Sequence, residues 1–470
     1  MVDDSFSKLP DVKLIARYSD PDRVAAAGAY GCKEQRSATQ IYNSLKYDKN
    51  DKEQKREETV FKHSIGNGHG SVADQAYFTY SIEDLPRAAT LQLCLPEYLA
   101  HLQQSLRFAN ADRGYYISKS MDDKTTKKIK NVMGDVFDFY NRAIQADIPI
   151  EDARYPLPLA TKTNIQTSGD VRELQHLHSM NTQGEVPEIV QYTVNEMINL
   201  GYEQAPGLFK DRTKNYETLA WRPSSQLYSS RNELVNNIID DNYDSFARAG
   251  TLMVSHSSLV KNNKELVKRA IREKNETDLS VLKHTHFEFL CPMSLACFHQ
   301  STRQRTWNHS IESIYDAMDR RDIVVPPSIF ESDFREEYAE LSRSIIGLYD
   351  ELIDEGIPRA EAILYAPHSL EVADLIHVDG WNAIHSIGKR RCTTAQWEIR
   401  TIANNMALKI YNADRAIGSY AEPQGYVYGE CPEGKRNCGL CEKKLEKYPD
   451  GVHDQKRWYK AKMGIPLNLL

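Results

Sequence analysis

CPMSLACFHQSTRQR (291–305), followed by NHSIESIY (308–315), repeats a pattern already present in the stretch that ends in QQSLRF (103–108). Gln92 is separated from Ser105 by the same interval as Gln300 from Ser313. Working outward, further pairs keep the same order and an offset of about 210 residues. KKIKNVMGDVFDFYNRAIQA (127–146) places Ile129, Val132, Met133, Val136, Phe137 and Tyr140 at helical spacing with one apolar face. EYAELSRSIIGLYDELIDEG (337–356) does the same with Tyr338, Leu341, Ile345, Leu348 and Leu352. EDARYPLP (151–158) is matched by EAILYAPH (361–368), and the helix-like PEIVQYTVNEMINLGY (187–202) by WEIRTIANNMALKIYN (397–412). SVADQAYFTYSI (71–82) alternates polar and apolar residues and predicts a strand. A period this long indicates two homologous domains rather than a solenoid. The expected division is 1–225, 226–425, and a Cys-containing tail over 426–470. The polar stretch 212–236, with its Pro-Ser-Ser turn signal, is the expected linker. Charge-rich 46–58 reads as solvated helix faces or loops.

The chain has 470 residues, 41% apolar and 27% charged, with a formal net charge of -7. That charge excludes a global cationic field for nucleic acid but permits local phosphate pockets. No run of about 18 apolar residues predicts a membrane span. The first twenty residues carry charges where a signal peptide needs an apolar stretch, so a cytoplasmic protein is expected. Cys32, Cys94, Cys291, Cys297 and Cys392 are scattered and read as reduced thiols.

The strongest chemical signal is Arg303-Gln304-Arg305, then seven residues, then Ser313. Two arginines bracketing one residue can fan toward one anion, and guanidinium groups bind phosphate bidentately. From the tripeptide alone, two solvated arginines on a surface helix are the better reading. The surrounding motifs decide. GHGSVADQAYFTYSIEDLPRAA (68–89), Gln300 before the Arg-x-Arg, EDARYPLPLATKT (151–163), Asp170-Val171-Arg172 with His176, and RRCTTAQWEIR (390–400) occur in the order of the flavin-dependent thymidylate synthases, which the chain resembles over most of both repeats.

That resemblance implies an α+β domain in each repeat, with a small antiparallel sheet and flanking helices. It also implies FAD as cofactor, NADPH and methylenetetrahydrofolate as co-substrates, and a dUMP-type nucleotide as substrate. By it, Arg390 polarises the uracil ring. Gln300, Arg303, Ser313, Gln104, Ser105, Arg107 and Arg154 hold the nucleotide. Arg303, Gln304, Arg305, Arg172, His176 and Ser71 hold the flavin. Neither repeat keeps the full set. The first has Leu95-Pro96-Glu97 in place of Arg-x-Arg but keeps Ser105, Arg107, Arg154, Arg172 and His176. The second keeps Gln300, Arg303, Arg305, Ser313 and Arg390, with Tyr315 opposite Arg107 and Leu364 opposite Arg154. The family builds its site from neighbouring subunits, so a composite site between repeats is expected, in a homodimer that mimics a tetramer. The family's central His is Gln304 here, which accepts and donates hydrogen bonds but does not titrate near neutrality. No nucleophilic cysteine is needed, and Cys291 and Cys297 read as core thiols. Cys431, Cys438 and Cys441 leave three readings open: zinc with Cys392 or His453 as fourth ligand, free thiols, or a disulfide. Other functional readings are C5 modification of another pyrimidine nucleotide and nucleotide or flavin binding without catalysis.

Overall fold

A computed structural model describes residues 6–47, 51–210, 217, 223–447 and 464–466. Part of the expected linker, and His453, lie outside them. The chain forms two compact units, residues 1–230 with 340–367 and residues 231–339 with 368–470. No described helix is long and apolar enough to cross a membrane.

In the first unit the elements are β1 (Asp11–Arg17), α1 (Pro21–Gly31), β2 (Tyr77–Pro86), α2 (Arg87–Leu93), β3 (Ala100–Gln103), α3 (Asp123–Gln145), β4 (Lys162–Asp170), α4 (Val171–Met180) and α5 (Glu188–Gln204). Its four-stranded sheet runs β1-β2-β4-β3 with every pair antiparallel. The second unit contains β5 (Leu252–Ser258), β6 (Thr285–Ser294), α6 (Leu295–Ser301), β7 (Asn308–Ile311), α7 (Ile314–Arg320), β8 (Asp322–Val324), only the start of α8 (Arg335–Asp354), then β9 (Glu371–Asp379) and α9 (Trp397–Ala413). Its main sheet, β5-β6-β9-β7, is again antiparallel and has the same order. Each half is therefore mixed helix and sheet, as the repeated motifs predict.

The predicted helix faces are the buried ones. Ile129, Met133, Val136 and Tyr140 of α3 are buried, joined by Phe139, while Val132 and Phe137 are half-buried. Asp122 caps α3 by accepting from Thr125 N at 2.7 Å. Tyr338, Leu341, Ile345, Leu348 and Leu352 of α8 are all buried. Most of α8 and the turn after it belong to the first unit. There Glu361 accepts from Glu188 N at 2.8 Å, satisfying an orphan donor in the first turn of α5. The homologous turns 151–160 and 361–367 pair directly, Leu159 N to Ala366 O (2.9 Å) and Ala160 N to Leu364 O (2.6 Å).

The predicted strand 71–82 is displaced. Residues 70–75 form 3₁₀ turns and the strand begins at Tyr77. Asp74 leaves the alternation to pair with Arg172 at 3.3 Å. β4 ends at Asp170, which caps α4 by accepting from Glu173 N at 2.8 Å. Asp170 is 8% exposed. Burial, with Asp74 and Glu173 nearby, pushes its carboxyl up to about 6 against the cap bond. A carboxyl whose folded pKa is raised costs stability above its unfolded pKa, and that cost disappears as pH falls through the folded value. Asp170→Asn keeps the capping oxygen without the charge. The substitution is expected to stabilise the protein at pH 7.5 by about 3 kcal/mol, from roughly 1.4 kcal/mol per pKa unit over a rise from 3.8 to about 6. At pH 4 the gain vanishes. Thermal unfolding of both proteins at the two pH values checks this; an equal effect at both removes the titration argument.

Candidate active site

In the second unit the site begins at the buried junction of β6 and α6. Ser294 caps α6 by accepting from Cys297 N at 3.0 Å. Its own N and Oγ donate to Glu398 of α9, at 2.7 and 2.6 Å. The helix carrying Gln300 is thereby fixed to the helix that opens the Ala-Gln-Trp-Glu block. Arg303-Gln304-Arg305 lie in the turn after α6, not on the helix itself. Gln304 N donates to Ser301 O (2.9 Å) and Gln304 O accepts from Trp307 N (2.8 Å), which pins the turn on both sides. Arg303 and Arg305 are exposed and Gln304 is half-buried. Gln300 is 8% exposed, and its Nε2 meets no acceptor among the described residues.

Arg390 ends a helical segment, 380–390, that contains a π turn over Ala383–Ile387. Such turns are frequent at functional sites. Gly388 is needed there, because a Cβ would lie 2.2 Å from the carbonyl oxygen of Glu422. The neighbouring Arg391 is locked in the core by Glu422 (2.9 Å), Asn404 (3.0 Å) and the Ala421 carbonyl. Arg390 is half-buried, and its Nη2 donates to the Gln300 carbonyl at 3.3 Å. The Gln304 side-chain amide lies against the Arg390 guanidinium, and with its oxygen assigned to the side that faces only donors it accepts from Arg390 Nε and Nη2 at 2.8 and 2.5 Å. Of the two adjacent arginines, one is structural and the other faces the Arg-Gln-Arg turn.

The Ser313 region of the same unit is differently charged. Ser313 is buried and caps α7, accepting from Tyr315 N at 3.2 Å. Tyr315, where the first repeat has Arg107, is 1% exposed. Arg320 binds Glu312 (2.9 Å), Asp322 (2.5 Å) and Glu371 (3.1 Å). Burial pushes Glu371 up to about 7, with Arg320 opposing. A groove of about 380 Å³ beside it is lined by Asp240, Asp316, Asp319 and Glu312 as well as Arg231 and Arg320. Carboxylates outnumber cations there, so the region disfavours a phosphate.

The first unit shows the opposite balance. Ser105 Oγ accepts from Arg107 N at 3.2 Å, the same turn as at Ser313. Arg107 Nε pairs with Glu151 at 2.5 Å, and Arg154 Nε donates to the Glu151 carbonyl at 3.0 Å. The predicted pair Arg107 and Arg154 is thus drawn together by Glu151. Gln104 is half-buried and its oxygen accepts from Arg113 at 3.4 Å. Sequence reasoning missed Arg87, which is 3% exposed. Its Nε and Nη1 meet no acceptor among the described residues, and burial followed by the Arg154 charge lowers its pKa to about 9. Its signal was the Pro-Arg-Ala step, 86–88.

Arg172, His176 and Ser71 sit at the Asp170 end of β4, about 26 Å along the strand from Lys162 at ~3.3 Å per residue. Arg172 pairs with Asp74, and Asp170 and Glu173 flank it. His176 is buried and its Nδ1 lies 3.2 Å from Glu173. Ser71 is exposed. For a flavin pyrophosphate, the exposed Arg303 and Arg305 have fitting donor chemistry. Arg172 would have to exchange Asp74 for phosphate.

Of the ligands considered for zinc in the tail, His453 lies outside the described residues. Cys392, Cys431, Cys438 and Cys441 line one small cavity, and Thr393 donates to Cys438 Sγ at 3.4 Å. Among the described residues no three His, Cys, Asp or Glu side chains group to hold a metal ion, and these four cysteines form no disulfide. Cys291 and Cys297 are fully buried, and burial raises the Cys291 pKa, as core thiols require.

The family model described as thymidylate synthase complementing protein (Thy1) matches residues 13–207 and again 212–413. The flavin-dependent thymidylate synthase of Geobacter sulfurreducens is 33% identical over 165 residues, covering 34% of this chain and 71% of that protein. Its namesake from Saccharolobus solfataricus is 28% identical over 202 residues, covering 42% and 75%. A solved structure of the UMP/dUMP methylase PolB from Streptomyces cacaoi, bound with 5-Br dUMP, covers 44% of this chain and 96% of its own. It is 16% identical with a TM-score of 0.37, too low to decide anything further. Matched twice in succession across most of its length, the chain belongs to the flavin-dependent thymidylate synthase (Thy1) family of enzymes.

Proposed function

We propose that the chain converts dUMP to dTMP with FAD, methylenetetrahydrofolate as carbon donor and NADPH as reductant. One nucleotide is served by arginines of both repeats, supplied by one chain or by two in a homodimer. The observation that carries this reading is complementary survival. The second repeat keeps Arg390 anchored against Gln300 and Gln304, whereas the first keeps Arg107 and Arg154 around Glu151. The acidic surroundings of Ser313 make the reciprocal arrangement a poor phosphate site.

C5 of uracil is a weak nucleophile. Arg390, placed against the ring, favours an enolate-like form and raises electron density at C5. C5 gains the methylene carbon and loses its proton. A hydride, carried from NADPH by the flavin when it is bound, completes the methyl group. Arg303, Arg107 and Arg154 neutralise the nucleotide phosphate, and the buried Gln300 Nε2 finds an acceptor in the nucleotide. Arg303 and Arg305 hold the flavin's phosphates.

Purified protein supplied with the four reactants is expected to form dTMP. Flavin bound without product would identify a non-catalytic descendant. Arg390→Ala should lower kcat by about 10²–10³. Arg107→Ala should also abolish turnover although it lies in the other repeat; a wild-type rate in that variant would show that the two arginine sets do not serve one nucleotide.

A further inference from the structure

Gln304 stands where the family resemblance places a histidine, and its contacts give it a specific task. Two chain segments converge at this point of the second unit, the turn after α6 and the helical segment 380–390. They are joined three times. Arg390 Nη2 donates to the Gln300 carbonyl (3.3 Å), Thr306 Oγ1 donates to Asn382 Oδ1 (2.7 Å), and the Gln304 amide, its oxygen assigned to the side that faces only donors, accepts from Arg390 Nε and Nη2 (2.8 and 2.5 Å). Asn382 Oδ1 also accepts from Ser386 Oγ at 3.0 Å, so the anchor point for Thr306 is itself fixed. Both ends of the clamp are rigid. The Gln304 backbone is bonded on both sides, and the residue after Arg390 is locked by Glu422 and Asn404.

Resting on the proposed reaction, we infer that Gln304 is a positioning residue that fixes the plane of the Arg390 guanidinium through its Nε–Nη2 edge while leaving its positive charge intact at every working pH. The chemistry selects an amide for this task. A carboxylate at 304 would hold the same edge but cancel the charge needed against the pyrimidine ring. An imidazole accepts through a ring nitrogen only while neutral, and once protonated it loses the acceptor and repels Arg390. An amide oxygen accepts two donors, carries no net charge and does not titrate. It also directs Gln304 toward the arginine, so that only its amide nitrogen remains to meet a cofactor.

Three variants test this. Gln304→Leu, similar in size but without an acceptor, is expected to lower kcat about 10- to 100-fold, the range for a lost bond to a charged group, with little change in KM for dUMP. Gln304→His is expected to add an ionisation near 6.5 to the kcat–pH profile, activity falling as pH drops through it, whereas the wild type shows none there. Gln304→Glu should lower kcat while keeping Arg390 in place. A second readout needs no turnover. Phenylglyoxal labelling at pH 8, followed by peptide mass, is expected to modify Arg390 several-fold faster in Gln304→Leu than in wild type or Gln304→Glu. The buried Arg391 should stay unlabelled throughout. Equal Arg390 labelling in all proteins overturns the positioning role whatever the reaction proves to be. Faster labelling in Gln304→Leu, with no dTMP from the wild type, overturns the reaction and leaves the positioning role standing. An unchanged kcat in Gln304→Leu, or a Gln304→His profile identical to wild type, also overturns it.

Discussion

A buried guanidinium without acceptors is costly, and Arg391 finds them in the core of the second unit. Glu422, Asn404 and the Ala421 carbonyl together consume it, at 2% and 0% side-chain exposure for Arg391 and Glu422. An isolated ion in that position would cost several kcal/mol. The hydrogen bonds around it turn the cost into a fixed point. From that point the orientation of Arg390, the close packing at Gly388 and the π turn before it all follow. The Ser294–Glu398 contact does the same for the helix that carries Gln300. The Arg-Gln-Arg turn is therefore held between two rigid elements and needs no ligand to define its shape.

Much of this architecture is legible in the sequence. Apolar residues recur at helical spacing in 127–146 and 337–356, and burial follows that spacing closely, because a one-sided helix has only one way to hide its stripe. The strand expected at 71–82 begins six residues later. Period two alone does not reveal that Asp74 prefers Arg172 to a place in the ladder. The site is legible as a set of residue types but not as a set of partners. Nothing in the sequence says that Glu151 gathers Arg107 and Arg154, that Arg87 is buried facing Arg154, or that Arg320 is enclosed by three carboxylates. The pairs Arg107–Glu151, Arg87–Arg154 and Arg320–Glu371 are distant in sequence, and charge patterning along the chain does not encode them. The adjacent arginines 390 and 391 show the same limit: their roles diverge only because one side chain reaches the core.

The two repeats share a sheet order and a helix order, so their difference lies in polarity rather than topology. Both retain the Ser turn, with Ser105 and Ser313 each accepting from the amide two residues on. The residues beyond the serine set the two apart. In the first unit an arginine continues toward Glu151. In the second a buried tyrosine closes the turn and Arg320 draws carboxylates inward. A phosphate entering there would compete with Glu312, Glu371 and Asp322 for one guanidinium and would meet Asp316 and Asp319 at the groove. Recovery would require several charges to change together, because each carboxylate is now part of the packing. Glu312, for instance, also accepts from Ala373 N at 2.8 Å within the sheet. A half-site that has been built into the core in this way cannot drift back by one substitution, and the same holds in reverse for the first repeat, where Leu95-Pro96-Glu97 has replaced the Arg-x-Arg turn and proline restricts the backbone that turn would need. Under the proposed composite site, duplication turns a symmetric requirement into a divided one, each half free to exchange ligand-binding charge for internal charge only where the other half retains it.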